Sequence, residues 1–571
     1  MYTASTAFLE ALVEAGVDYI FANIGSDHPA LVEAIALARQ EGRKIPQIVT
    51  TPHEFVGLCA AHGHALVSGQ GQAVVVHVEC GTQNLGGAIH NAAKGRVPVL
   101  IFAGASPYTQ EGEVLGGRNE FIQWTQDVFD QRGIVRGYMR YDNEIRTGRN
   151  LKQLVHRAMQ FAHSDPKGPV YLMGARELME EEVPRVEINP DHWRPMEPAA
   201  LSPAAAERIA KALSGAKRPL IVTSYIGRKP EAVAELVKLA GRLGVGVLES
   251  VPSTMNFPHD NPMFVGVHWN QPFQQPQLAE ADVVLVIDSD IPWIPLHNRP
   301  AADARVFHID LDVLKETTPL HYLPAERLHK ACSAVALSQI NAALDRLPDD
   351  LHAVDLRRGH FLAVHVARGA ELVRLEQKPE TGPITIEYLM AALRAQLDDT
   401  AIVMNEGITN YHLIYNHLGM TRPGSMFTSG AGSLGWSGGA SIGAKLAAPE
   451  ATVVSITGDG CYMFSIPATV HWMARQYDAP FLQIVLNNRG WKAPMMSLLG
   501  VHPNGVASRA NSIDNTFDPP ADYGAIATAA GAGYARKVTR PEEVEAAIAE
   551  GLRVVREERR AAVLDVWLAH L

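Results

Sequence analysis

Val453-Val454-Ser455-Ile456-Thr457-Gly458-Asp459-Gly460 is a β-branched run closed by a Gly-Asp-Gly turn, and further on Leu482-Gln483-Ile484-Val485-Leu486 ends in Asn487-Asn488. Neither run alternates polar with apolar residues, the pattern of strands buried on both faces of a parallel sheet. Their polar ends therefore fall at the carboxyl ends of parallel strands, where open α/β sheets bind ligands. Asp459 and Asn488 offer two oxygens to a hard cation. Gly458 and Gly460 let phosphate oxygens approach the backbone, and the next helix start favours an anion. Mg²⁺ commonly takes this few protein ligands and completes its shell with water and phosphate. A Gly-Asp-Gly turn alone marks a strand end; its pairing with Asn487-Asn488 is what predicts a site.

Outward from these runs, three segments each alternate short β-branched runs with Ala-rich amphipathic stretches, which predicts an α/β chain of three domains, each a mostly parallel sheet flanked by helices. The first domain is placed at 1–185, with strands Tyr19–Ala22, Gln47–Thr50, Ala73–Val78 and Val97–Ala103. A Pro-rich linker around Pro190, Pro195, Pro198 and Pro203 leads to a central domain at 195–345, with strands Pro219–Thr223, Val245–Glu249, Asp282–Asp288 and Arg305–Asp310. The third domain is placed at 375–571, with strands Ala401–Met404, Thr452–Thr457, Phe481–Leu486 and Ala562–Val566. The first and third segments look alike in layout.

The 571 residues hold 50 Lys and Arg against 61 Asp and Glu, a net charge of -11, so neither nucleic acid nor an anionic membrane surface is an expected partner. Charged residues are 19%, below the ~25% of average soluble domains. That deficit predicts extra buried surface and an oligomer. The 4 cysteines (Cys59, Cys80, Cys332, Cys461) form no CxxC pair, which fits a reducing cytoplasm. No basic leader precedes Glu10, Glu14 and Asp18, and no apolar run approaches ~18 residues, so a membrane span is not expected.

A rival reading exists. Gly430-Ala431-Gly432-Ser433-Leu434-Gly435 matches GxGxxG after a short strand, Ser425–Thr428, and Asp459 ends the next strand, as in a nicotinamide dehydrogenase. Against it, Asn487-Asn488 has no role in that scheme, and Gly460 puts a phosphate-type turn where a ribose would be read.

The block from Gly458-Asp459-Gly460 to Asn487-Asn488 resembles the thiamine-diphosphate signature of the superfamily of acetohydroxyacid (acetolactate) synthase, pyruvate decarboxylase and benzoylformate decarboxylase. Thr428 to Gly435 is similar to that family's loop over the aminopyrimidine ring, and the resemblance extends over essentially the whole chain. It implies thiamine diphosphate and Mg²⁺ as cofactors, with Asp459, Asn488 and the Gly490 carbonyl on the metal. It implies Gly460, Cys461, Ile408, Thr409 and Asn410 around the diphosphate, with Ser433 and Trp491 also beside the cofactor. Leu434 would prop the folded cofactor, and the Gly432 carbonyl would accept from its amino group. Glu54, in Thr51-Pro52-His53-Glu54, stands where the family keeps the acid that activates the pyrimidine; the plain alternative is a capping box between Thr51 and Glu54. Because the family binds the two cofactor ends with different subunits, a homodimer or homotetramer with active sites at the dimer interface is implied.

Ser26, His77 and Gln123 fall at substrate-facing positions of the family, and Gln83, Trp124 and His297 are weaker candidates. The adjacent His-His pair of pyruvate decarboxylases is absent, and Pro494 replaces their carboxylate. Asp288-Ser289-Asp290-Ile291-Pro292-Trp293 replaces an Arg-containing FAD-binding stretch, so FAD is not expected. The implied function is a lyase or carboligase acting on 2-oxo acids, by acetolactate-synthase-like carboligation or benzoylformate-decarboxylase-like decarboxylation. The alternatives are cleavage of a 1,2-dicarbonyl or acyl-CoA substrate, a dehydrogenase, and a non-catalytic homologue.

Overall fold

The computed structural model describes residues 2–348, 350–510 and 513–571. Three six-stranded sheets, parallel throughout, follow one another along the chain. The first holds β1 (Tyr19–Ala22), β2 (Gln47–Thr50), β3 (Gln72–Val76), β4 (Val99–Ala105), β5 (Tyr141–Glu144) and β6 (Val170–Ala175), in the order β2-β1-β3-β4-β6-β5. The second holds β7 (Pro219–Thr223), β8 (Gly246–Ser250), β9 (Phe264–His268), β10 (Val283–Ile287), β11 (Arg305–Asp310) and β12 (Arg327–Lys330), in the order β12-β11-β10-β7-β8-β9. The third holds β13 (Ile402–Glu406), β14 (Met426–Phe427), β15 (Val453–Gly458), β16 (Leu482–Asn487), β17 (Tyr534–Val538) and β18 (Ala562–Trp567), in the order β14-β13-β15-β16-β18-β17. Counted from its own first strand, the third sheet repeats the order of the first. The likeness of the two segments is thus a shared topology.

The first and second sheets each have two strands more than the sequence predicts, and the third has one more, since the short strand Ser425–Thr428 is β14. β5, β12 and β17 are half-exposed and carry polar residues such as Asp142-Asn143-Glu144 and Arg536-Lys537, so they lack the apolar runs that betray buried strands. β3 stops at Val76 instead of running to Val78. The cause is local: Val78 sits at φ 32°, outside the strand region, and its N–H is held by Asp27 Oδ2 at 3.0 Å. His77 consequently stands on the corner between β3 and the helix Val78–Asn84.

The central sheet has its own core, built on residues such as Leu220, Val247, Leu285 and Phe307. The first and third sheets share one, in which the helices Glu54–Ser68 and Trp436–Ala447 pack together. Small residues make that approach possible: a Cβ on Gly443 would collide with the Ala60 carbonyl, and one on Gly63 with the Ala440 carbonyl. Gly443→Ala is therefore expected to cost about 1–3 kcal/mol by overpacking, lowering the melting temperature in a thermal scan; an unchanged midpoint would show that the two helices are not locked backbone to backbone. Among the described residues, no helix is long and apolar enough to cross a membrane.

Candidate active site

In the third sheet β13 and β15 are neighbours although β14 lies between them in sequence, so their connections leave in different directions and open a crevice at the carboxyl ends. A cleft of about 430 Å³ occupies it. Ile408, Thr409 and Asn410 after β13 line it, as do Asp459, Gly460 and Cys461 after β15 and Asn488, Gly490 and Trp491 after β16. Gly432 and Leu434 complete the wall from the Gly-rich loop, and Phe464, Lys492, Ala493 and Pro494 join them. Ser433 does not line the cleft. Its N–H donates to Asn91 Oδ1 at 3.1 Å and its carbonyl accepts from Asn91 Nδ2 at 2.9 Å, which staples the loop to the first sheet's unit.

At the floor, three oxygens converge. The Asn488 side-chain oxygen lies 3.3 Å from Asp459 Oδ1 and 2.8 Å from the Gly490 carbonyl oxygen. The two ends of the amide are interchangeable in shape: with its nitrogen inward it would donate to both oxygens, and with its oxygen inward it completes a set of three oxygens that only a cation could bridge. Two oxygens at right angles on a cation with ligands at ~2.1 Å stand ~3 Å apart, so the set fits a small hard cation. The turn is prearranged for this: Gly490 N–H donates to Asp459 Oδ2 at 2.9 Å, and Asn487 Oδ1 accepts the Arg489 N–H at 3.1 Å. The Gly460 N–H is spent on Asp459 Oδ1 at 2.8 Å. Burial pushes the Asp459 carboxyl up to about 6 against those N–H donors, because two amide dipoles do not replace water around an anion.

Glu406, at the end of β13, anchors the opposite wall. Its carboxyl accepts the N–H groups of Gly435, Trp436 and Ser437 at 2.6–3.0 Å, tying the Gly-rich loop to the strand where Gly435 (φ 92°) enters the helix Trp436–Ala447. Burial raises it to about 7 despite those bonds. The sequence held a clue that passed unused: Glu406-Gly407 ends its strand as Gly458-Asp459 ends the next. Nothing in the sequence marked Asn91.

The first sheet's candidates lie outside this cleft. Glu54 is buried at 7% exposure in the first turn of Glu54–Ser68, where Asn84 Nδ2 reaches its Oε2 at 3.2 Å and Gly81 leaves it room. The capping-box alternative does not form. The cap is His53, whose Nδ1 accepts the Phe55 N–H at 3.3 Å, while Thr51 Oγ1 donates to the Val49 carbonyl at 3.1 Å. Ser26 is half-buried, its carbonyl bonded to Arg176 at 3.0 Å. Gln123 is buried with its oxygen accepting the Asn119 and Glu120 N–H groups, so its polar end serves its own loop; the glutamine that meets His77 Nε2, at 3.0 Å, is Gln126. His297 is exposed on a central-unit loop and lines no part of the cleft.

The architecture defines an α/β chain with a duplicated sheet order and a cleft at a switch point, floored by converging oxygens and walled by glycine backbone. Residues 2–134, 206–317 and 407–566 match the family models described as the N-terminal TPP binding, central and C-terminal TPP binding domains of thiamine pyrophosphate enzymes. The chain is 25% identical over 561 residues to the benzoylformate decarboxylase of Pseudomonas aeruginosa, covering 97% of both. It is 24% identical over 499 residues to the acetolactate synthase of Bacillus subtilis, covering 84% of this chain and 80% of that one. The solved Rhodococcus jostii RHA1 thiamine diphosphate-dependent 4-hydroxybenzoylformate decarboxylase shares its fold at a TM-score of 0.79 and 21% identity, covering 100% of this chain and 99% of the other. The chain belongs to the thiamine pyrophosphate enzyme family. With that, the dehydrogenase reading of Gly430 to Gly435 gives way. Gly432 and Leu434 face the cleft, and Asp459 is turned toward the other oxygens on its floor, away from any ribose role.

Proposed function

We propose that this chain binds thiamine diphosphate through Mg²⁺ in the cleft of the third sheet and acts as a lyase or carboligase on 2-oxo acids. The observation that carries the reading is the meeting of the Asp459 carboxylate, the Asn488 amide and the Gly490 carbonyl at one point of a cleft of about 430 Å³ walled by glycine backbone. Thiamine diphosphate bound there supplies a carbon nucleophile and an electron sink for breaking or making a bond beside a carbonyl. Asp459 and Asn488 hold the metal and thereby the diphosphate. Leu434 would prop the folded cofactor, and the Gly432 carbonyl would accept from its amino group. Glu54 supplies a carboxyl proton to the pyrimidine nitrogen.

Glu54 lines no part of its own chain's cleft, and in this reading the acid that completes a site comes from a second copy, as the family resemblance implies. Exposed apolar side chains flank both halves: Leu115, Phe121 and Phe129 in the first unit, and Trp491, Met496 and Leu499 beside the cleft. A homodimer, or a homotetramer built from two such dimers, would cover them. Lys492 at the rim gives a counter-charge for a substrate carboxylate.

Holoenzyme incubated with a panel of aryl and alkyl 2-oxo acids, with CO₂ and products followed by mass spectrometry, is expected to release CO₂. An aldehyde or a hydroxyketone is the expected second product. Turnover confined to 1,2-diketones or acyl-CoA thioesters would move the chain to the other branch of the same chemistry. No binding of thiamine diphosphate with Mg²⁺ by calorimetry would end the proposal.

A further inference from the structure

The first sheet carries a second built constellation, outside the cleft. The loop after β1 delivers Gly25, Asp27 and His28, the corner after β3 delivers His77, and β4 delivers Gly104. Asp27, buried, places Oδ1 2.6 Å from His77 Nδ1, while its Oδ2 accepts the Val78 N–H at 3.0 Å. That second bond holds the residue next to the imidazole, whose positive φ is unusual for a β-branched side chain. Two glycines from separate elements make the slot: a Cβ on Gly25 would fall on the His77 ring, and one on Gly104 on the Asp27 carboxylate. His77 is left with 19% of its side chain exposed, and its Nε2 is 3.0 Å from Gln126 Oε1.

We propose that Asp27 is the positioning residue for His77: its carboxylate accepts from Nδ1–H, fixes ring orientation and tautomer, and leaves Nε2–H as a hydrogen-bond donor toward the substrate's carboxylate or carbonyl oxygen. The proposal rests on the 2-oxo acid reading above for the substrate, but not for the pair itself. An imidazole whose far nitrogen is held by a buried carboxylate is oriented and more basic, as ligand and catalytic histidines generally are. His28 competes for the same oxygen, its Nδ1 lying 2.8 Å away. That nitrogen, however, also faces the Gly25 N–H at 3.1 Å and is shared between two partners, whereas His77 Nδ1 has Asp27 Oδ1 alone and lies closer to it, at 2.6 Å.

Burial alone would raise Asp27 and lower His77, but the two imidazoles hold Asp27 well below the usual carboxylate range, and Asp27 carries His77 above its ordinary value. Glu54, from the helix Glu54–Ser68, adds to the rise at His77, and the buried Tyr171 hydroxyl of β6 is a further titratable group near Asp27.

The test reads His77 directly. Deuterium exchange at histidine C2, followed by peptide mass spectrometry across pH on the full chain without cofactor, is expected to place the His77 midpoint above the ~6.5 of a free imidazole. Asp27→Asn should lower that midpoint by about 1 to 3 units. Gly104→Ala, which crowds the carboxylate from β4, should lower it in the same direction. In the loaded enzyme Asp27→Asn should reduce kcat by on the order of 10- to 100-fold with KM little changed, and thiamine diphosphate should bind as in wild type. A wild-type midpoint at or below the free value, or a shift in Asp27→Asn at His28 and not at His77, would overturn the pairing. Failure of the chain to bind thiamine diphosphate would sink the proposed function and leave the exchange result standing by itself.

Discussion

Glu54→Gln is expected to lower turnover of the loaded enzyme by on the order of 10²- to 10⁴-fold, the range for removing a positioned proton donor. Cofactor binding should stay within about tenfold of wild type. The substitution keeps the shape of the side chain and its bond from Asn84, at 3.2 Å in the native chain, and disturbs no helix cap, because His53 fills that role. What it removes is the proton. A carboxyl can pass one to a ring nitrogen and take it back, whereas a carboxamide cannot, so the base on the other side of the ring is never made. Exchange of the cofactor's acidic C–H with deuterated water, quenched and read by NMR, isolates this step from substrate binding. Exchange as fast as in wild type would strip Glu54 of the role and return it to the buried start of a helix.

How much of this was legible in the sequence follows from how each group is held. Asp459, Asn488 and the Gly-rich loop were legible because strand ends and glycines write their geometry into local sequence, and the cleft collects them as read, Ser433 excepted. Glu54 was legible only as one of two readings, since a capping box and a buried acid share a spacing; the choice lay in the side chain of His53, which no periodicity reports. Asp27 and Gln126 could not be found. They reach His77 across 50 and 49 residues of chain, and the glycines that make room, Gly25 and Gly104, look like ordinary loop and strand glycines until two elements are brought side by side. The edge strands escaped for a different reason: a half-solvated edge has no need of an apolar run.

Asp459→Ala is expected to abolish metal-dependent retention of thiamine diphosphate, raising its apparent Kd by more than about 100-fold, or roughly 3 kcal/mol. The carboxylate does two jobs that alanine ends together. Oδ1 is one of the three converging oxygens, and Oδ2 holds the Gly490 N–H at 2.9 Å, keeping the Gly490 carbonyl in the set. Asp459→Asn separates them: it retains an oxygen and the size of the side chain but not the charge that offsets a dication, so it should fold as wild type and bind Mg²⁺ about 10- to 100-fold more weakly. Equilibrium dialysis against a metal buffer, with circular dichroism as the folding control, measures both variants. Retention unchanged in Asp459→Ala would remove the metal from this cleft. The two single defects can also be combined in one oligomer. If acid and metal site come from different chains, co-expressed Glu54→Gln and Asp459→Ala chains pair so that one of the two sites in the mixed dimer is intact, and part of the activity returns although each variant alone is inactive. If each chain completed its own site, no pairing could restore one, and the mixture would stay as inactive as its parts.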